Sequence, residues 1–297
     1  MQGLLVINKP SGVTSFFAVS KIRKITHEKR VGHTGTLDPM ATGVLPVLIG
    51  RSCALSDYIL HTKKVYDAEF ELGITTDSFD ITGNILKTSN NIPDFLKVQK
   101  TVMGFVGRYL QYPPIYSAKK VGGKKLYEIA RSGGTAEIKP QEVNIIKIEN
   151  IRAKSDRVFS FTVTCEAGTY IRSLVSDIGA RLSCGATLTK LCRTQNGVFN
   201  ISQAVNLEDI TEENIKSFLT PAENALPFYK SVSVSGRQAV RFFNGGALDI
   251  NRLLIDNPAV GEIYKVNYNG SFIGLGKISE QSLKPVCPIN KPDYIYE

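Results

Sequence analysis

Apolar and polar positions along the chain fall into two periods, and these divide it into elements. Residues 3–7, Gly-Leu-Leu-Val-Ile, form an unbroken apolar run that stops at Asn8-Lys9-Pro10-Ser11-Gly12, the pattern of a short strand and a turn. Phe16, Val19, Ile22 and Ile25 recur at helical spacing behind Thr14 or Ser15, either of which can cap a helix. A second apolar run covers 44–49, and 51–60 reads as a short helix. Over 63–73, Tyr66, Ala68, Phe70 and Leu72 alternate with Val65, Asp67, Glu69 and Glu71, which predicts a half-buried strand. Residues 93–103 predict a helix opening on Pro93, and 137–152 and 157–165 predict two strands. Ile171, Leu174, Val175, Ile178 and Leu182 then follow the i, i+3, i+4, i+7 rule of a helix that Thr169 can cap. Residues 186–199 read as a strand and a turn, and 202–226 are polar and partly helical. From about 230 the texture changes. Val232 and Val234 alternate, 237–243 is helical, and 264–276 reads as a hairpin turning at Asn269-Gly270. The pattern predicts an α+β chain with a larger domain over 1–229 and a small β-rich one over 230–297.

Composition narrows the class. The chain has 297 residues, 42% of them apolar, enough for a sizeable core. Lys plus Arg number 36 against 27 for Asp plus Glu, a net charge of +9 that favours a polyanionic partner. No apolar run approaches the length of a membrane span. The first residues lack the charged and long apolar regions of a signal peptide, so a cytoplasmic protein is expected. The cysteines at 53, 165, 184, 192 and 287 are odd in number and scattered, as reduced thiols are. They make no zinc spacing with His27, His33 and His61, and no metal is expected.

Candidate chemistry concentrates in 30–51. Asp38 stands between Leu37 and Pro39, and a residue before proline is pushed out of the α region. Gly32, Gly35 and Gly43 surround it, together with His33, Thr34, Thr36 and Thr42. Asp38 is therefore expected on a tight loop entering a buried strand, either as an ordinary surface turn or as a functional carboxylate. The nearby helix carries Lys21, Arg23 and Lys24, a face that is either solvated or phosphate-contacting. Over 108–133, Arg108, Lys119, Lys120, Lys124, Lys125 and Arg131 face the single Glu128 and are interleaved with Tyr109, Tyr112, Tyr116 and Tyr127. Basic charge between aromatic faces suits nucleic acid, and Gly122-Gly123 suits a mobile flap. Arg172 falls in the first turn of its helix, off the apolar stripe, where the helix dipole disfavours a cation. It either faces solvent or meets a carboxylate.

These motifs together resemble the bacterial TruB family, pseudouridine synthases acting on uridine 55 of tRNA. The resemblance rests on Asn8-Lys9-Pro10, Gly32-His33-Thr34-Gly35-Thr36-Leu37-Asp38-Pro39, Ala41-Thr42-Gly43-Val44-Leu45 and Lys64-Val65-Tyr66. It continues through residues 76–83, Pro113-Pro114-Ile115-Tyr116-Ser117-Ala118-Lys119 and Gly168-Thr169-Tyr170-Ile171-Arg172-Ser173-Leu174. It spans 3 to about 200 in the family's order. At Leu191-Cys192-Arg193 the chain departs from the family's Leu-Arg-Arg, which puts one phosphate contact in question.

The resemblance implies a central mixed, mostly antiparallel sheet flanked by helices, with a PUA-like RNA-binding domain over 230–297. It implies that Asp38 is the catalytic carboxylate, that Tyr66 stacks on a flipped uracil and that Arg172 pairs with Asp38; a neighbouring guanidinium favours an ionised carboxylate. His33 would wedge into the opened loop and Asp80 would back Tyr66. Lys9, Leu191, Tyr170 and Lys119 would contribute to substrate binding. The flap, 111–134, would clamp the T-arm and the tail would reach the acceptor stem. A monomer without cofactor is expected. The competing readings are an RNA-guided pseudouridine synthase, a non-catalytic tRNA chaperone and a nucleotide hydrolase. The last generally needs a second catalytic acid, for which Asp77 and Asp80 are the nearby candidates.

Overall fold

The computed structural model describes residues 1–59, 63–117, 120–121, 123–125 and 137–293. In chain order its first strands are β1 (Gly3–Lys9), β2 (Val31–His33), β3 (Thr42–Ile49), β4 (Lys64–Leu72), β5 (Ile74–Thr76), β6 (Ile85–Thr88) and β7 (Gly107–Gln111). There follow β8 (Lys120–Val121), β9 (Lys124–Lys125), β10 (Gln141–Ala153), β11 (Val158–Cys165), β12 (Ala186–Asn196), β13 (Phe199–Asn200) and β14 (Val205–Asn206). A ten-stranded sheet runs in the order β14-β1-β3-β12-β4-β11-β10-β7, with β2 on β3 and β13 on β12. Its ladders are antiparallel except β1–β14 and β3–β12, so the sheet is mixed and mostly antiparallel. Helices Ser15–Thr26, Phe95–Met103 and Ile171–Arg181 supply apolar side chains to the core on one face. The fold is α+β, as the sequence predicts.

Strand parity decides what this sheet presents. On β4, Tyr66, Ala68 and Phe70 point to the core and Asp67 and Glu69 to the other face, as the alternation predicts. Tyr66 is paired with Arg193 on β12 and with Val163 on β11, and Ala68 with Leu191. Leu191 and Arg193 therefore share the Tyr66 face, whereas Cys192 pairs with Asp67 and Thr42 and points away. The departure at Cys192 leaves the Tyr66 face unchanged.

β1 and β3 are buried on both faces. Leu5, Ile7, Leu45, Val47 and Ile49 join the main core; Leu4, Val6, Val44 and Leu48 join a second one. The second core is closed by the C-terminal sheet: β15 (Lys230–Ser233), β16 (Leu248–Asp249), β17 (Ile263–Tyr268), β18 (Ser271–Ser279) and β19 (Ser282–Pro288), in the order β15-β17-β18-β19-β16. Phe272, Leu275, Cys287 and Ile289 pack there. The opposite side of this sheet holds a core of its own around Phe242, Val266 and Leu283.

Three local expectations are corrected. Phe16 is 71% exposed, because the buried stripe of the first helix is Ser15, Ala18, Val19, Ile22 and Thr26. The second long helix is capped by Asp94 after Pro93, its carboxylate accepting from Lys97 N–H. Thr169 does not cap the helix Ile171–Arg181: its hydroxyl donates to Glu166 O, and the cap residue is Tyr170, with no side-chain cap bond.

Candidate active site

The Asp38 loop is fixed from both sides. Ser15 Oγ, at the start of the first helix, donates to Leu37 O and accepts from Leu37 N–H at 2.9 and 2.8 Å. Lys9 is fully buried behind the loop, its ammonium donating to Pro10 O, Val13 O and Pro39 O. From the other side Arg193, also fully buried, donates to Val44 O, Gly35 O and Thr36 O at 2.8, 3.0 and 3.4 Å. At Gly43, where φ is +104°, a Cβ would lie 2.3 Å from Arg193 O, so only glycine lets β3 approach β12 this closely. A loop anchored at Leu37, Pro39 and Gly35 leaves Asp38 little freedom.

Its carboxylate meets Arg172 side-on. Arg172 Nε donates to Oδ2 at 2.8 Å and Nη2 to Oδ1 at 3.0 Å, a bidentate pair. Arg172 is 5% exposed at the side chain and Asp38 32%, so the cation is buried and the anion reaches the cleft. Far from facing solvent off the apolar stripe, Arg172 is enclosed on every side. Nη1 donates to Ser78 O at 3.0 Å and lies 3.4 Å from Asp80 Oδ2, and Nη2 also donates to Tyr116 O at 2.9 Å. Asp80 is buried; its Oδ1 accepts from Ser78 Oγ, Thr82 N–H and Thr82 Oγ1. Two carboxylates thus flank one guanidinium, which offsets the disfavoured position at the helix N-terminus.

A cleft of about 510 Å³ opens over this pair, lined by Asp38, Tyr66, Tyr170, Arg172, Leu191 and Arg193 among others. That volume fits one nucleoside. Tyr66 is buried, which pushes its phenol above the ordinary value, while the nearby Arg193 guanidinium favours the phenolate. Lys64 borders the cleft, and burial, with Arg193 repelling it, brings its ammonium down to about 8. Lys9 is likewise lowered to about 8 by burial, opposed by Asp38.

The structure brings together Asp38, Arg172, Asp80, Tyr66, Tyr170 and Leu191. Lys9 stands behind the loop and does not line the cleft. His33 is half-buried on β2, outside the cleft, with Nδ1 lacking a hydrogen-bond partner among the described residues. Burial holds its pKa below the ordinary value. Lys119 and half of the expected flap, residues 118–119, 122 and 126–134, lie outside the described residues. Arg193 is the cleft residue that the pattern did not single out. Its signal was its parity: it falls on the apolar face of an alternating strand.

Comparison with known proteins fits this geometry. The fold aligns with a chain in an archaeal box H/ACA sRNP Nop10–Cbf5 complex at a TM-score of 0.74 and 23% identity, covering 99% of this chain and 89% of that one. A chain in a Cbf5–Nop10–Gar1 complex aligns at 0.73 and 25%, covering 97% and 84%. Residues 23–171 match the model of the TruB family pseudouridylate synthase N-terminal domain, and 172–227 that of the tRNA pseudouridylate synthase B C-terminal domain. Fold, site and models define an isomerase of the pseudouridylate-synthase class. Relatives called tRNA pseudouridine synthase B occur in Clostridium perfringens, 40% identical over 96% of this chain and 97% of theirs, and in Clostridium tetani, 41% identical over 96% and 99%. Another, from Dehalococcoides mccartyi, is 41% identical over 93% and 92%. The chain belongs to the TruB family.

Proposed function

We propose that this enzyme converts uridine 55 in the T-loop of tRNA to pseudouridine. The observation that carries the reading is the Asp38 carboxylate, locked side-on to a buried arginine at the mouth of a nucleoside-sized cleft. The reaction breaks the N1–C1′ bond, turns the uracil and forms C5–C1′; the hydrogen on C5 is lost and N1 gains one. There is no redox change, so no cofactor is called for. Asp38 serves by adding to C6, by attacking C1′ or by removing the 2′ proton, and each route needs the ionised carboxylate. Arg172 supplies the opposing charge and Asp80 holds Arg172 in turn.

A base stacked inside a folded loop must be extruded to reach Asp38. Tyr66, at the cleft wall, stacks on the extruded uracil, and Arg193 beside its oxygen favours the phenolate that could take the C5 proton. Tyr170 and Leu191 shape the pocket, His33 fills the space the base leaves, and Lys9 keeps the loop in place. Lys119 and the flap of residues 111–134 grip the T-arm. The domain from 230 acts as a PUA-like surface for the acceptor stem, on a catalytic domain covering 1–229. The protein works as a cytoplasmic monomer. Among the described residues no helix is long and apolar enough to cross a membrane.

The test is mass spectrometry of a T-arm stem-loop after incubation, with derivatisation that marks pseudouridine. Asp38→Asn is expected to abolish product while RNA affinity stays within about threefold of wild type. Full turnover by that variant would overturn the mechanism. Tyr66→Phe is expected to bind RNA and lose most turnover; unchanged turnover would confine Tyr66 to stacking.

A further inference from the structure

Gln111 ends β7 and is fully buried. Both ends of its amide engage the main chain of Tyr170, 59 residues away. Tyr170 N–H donates to Oε1 at 2.8 Å, and Nε2 donates to Tyr170 O at 3.1 Å and to the Tyr109 hydroxyl at 2.5 Å. Tyr170 is the residue from which the helix Ile171–Arg181 starts, and that helix has no side-chain cap bond there. A side chain from a distant strand therefore sets where the helix begins. A helix start fixes the direction of the side chains in its first turn.

Two further bonds run in parallel. Ser173 Oγ donates to Tyr112 O at 2.8 Å, and Arg172 Nη2 donates to Tyr116 O at 2.9 Å. The strap of residues 111–117 is thus stitched to residues 170, 172 and 173 of the helix start. The outer side of the strap is open to solvent: Tyr112, Ile115 and Tyr116 are all exposed. One stitched unit has the Asp38–Arg172 pair on its inner side and a free aromatic surface on its outer side.

We propose that Gln111 is a positioning residue for the isomerisation: by clamping Tyr170 it holds Arg172 in register with Asp38 and ties that register to the strap. The proposal rests on the reading of Asp38 and Arg172 as the reactive pair. Gln111 touches neither reacting atom. An apolar side chain of equal volume would fill its space and leave Tyr170 N–H without its acceptor, while Tyr170 O would keep only the intrahelical bond from Leu174 N–H.

The experiment uses the full chain and two readouts. In single turnover on a T-arm stem-loop, Gln111→Ala is expected to lower the rate constant about tenfold to a hundredfold while RNA affinity changes by less than about threefold. Gln111→Glu keeps the acceptor for Tyr170 N–H and is expected to recover most of that loss. The second readout needs no substrate. The Arg172 Nε–H resonance, assigned by its disappearance in Arg172→Lys, is expected to exchange with solvent about tenfold faster in Gln111→Ala. Should Gln111→Ala fail to fold in a thermal melt, Gln111→Met carries both measurements. Unchanged Nε–H exchange overturns the proposal whatever the turnover, as does a loss seen in affinity alone. Faster exchange, in a protein whose wild type leaves T-arm uridine unconverted, supports the positioning role and rejects the substrate reading.

Discussion

A single guanidinium ties the candidate site together. Arg172 serves Asp38, Asp80 and two carbonyls at once. Removing one partner of such a group leaves the others buried and uncompensated. Arg172→Ala is expected to lower the unfolding free energy by about 3 kcal/mol, read by urea denaturation. Asp177 gives the opposite case. It faces the Tyr109 hydroxyl across from its helix and Arg181 on it, and burial raises its pKa to about 6 despite both. Its charge is therefore unfavourable in the folded state, and stability falls as pH rises from about 4 through about 6. Asp177→Asn is expected to raise stability at pH 7.5 by about 1 kcal/mol, allowing for partial exposure, and to have no effect near pH 4. Thermal melts at the two pH values check this. Asp38, Tyr66 and Arg172 were legible because each sits in a motif with its own punctuation. Arg193 and Gln111 were not, because their importance comes from contacts 149 and 59 residues away.

At the scale of elements, periodicity gave the existence of each helix and strand more reliably than its orientation. The first helix is rotated from the stripe through Phe16, because Ser15 must reach Leu37 and so faces inward. No periodicity rule weighs a serine as a core residue. The Gly-Thr-Tyr-Ile-Arg start misleads similarly: Thr169 has a capping residue's chemistry, yet its hydroxyl serves Glu166 and Gln111 fixes the start from outside. The two threonines should behave differently. Thr14 Oγ1 accepts from Phe17 N–H, so Thr14→Ala is expected to cost about 1 kcal/mol. Thr169→Ala is expected to cost less than about 0.5 kcal/mol, the ordinary range for a surface change. Urea denaturation of the pair distinguishes a true cap from a capping residue otherwise employed.

For the molecule as a whole, charge and core matter on different counts. The +9 net charge predicts RNA affinity that falls steeply with salt as counterions are released. A flat dependence in filter binding between low and physiological salt would remove that electrostatic role. The change of texture near 230 marked where a second sheet begins, but nothing in the pattern told what lies behind β1 and β3. Both are near-continuous apolar runs, and such runs state that two faces are covered without stating by what. The answer includes Phe272, Leu275, Cys287 and Ile289, more than two hundred residues on, beside Leu55, Ile59, Phe199 and Leu226. Leu275→Ala is expected to cost about 2–5 kcal/mol and to keep a single unfolding transition, since the two sheets share this core. Two separated transitions in calorimetry would show that the sheets melt independently.

That shared core bears on how the chain can be rebuilt. β3 begins four residues after Asp38, and its rear side rests on the C-terminal sheet through Val44 and Leu48. The tail is therefore a foundation and not a handle. Exchanging it for a foreign module would uncover apolar side chains behind the strand that follows the Asp38 loop. A graft at the exposed Asn269–Gly270 turn leaves that contact whole, and it is the place to attach a tag, a dye or a second binding unit.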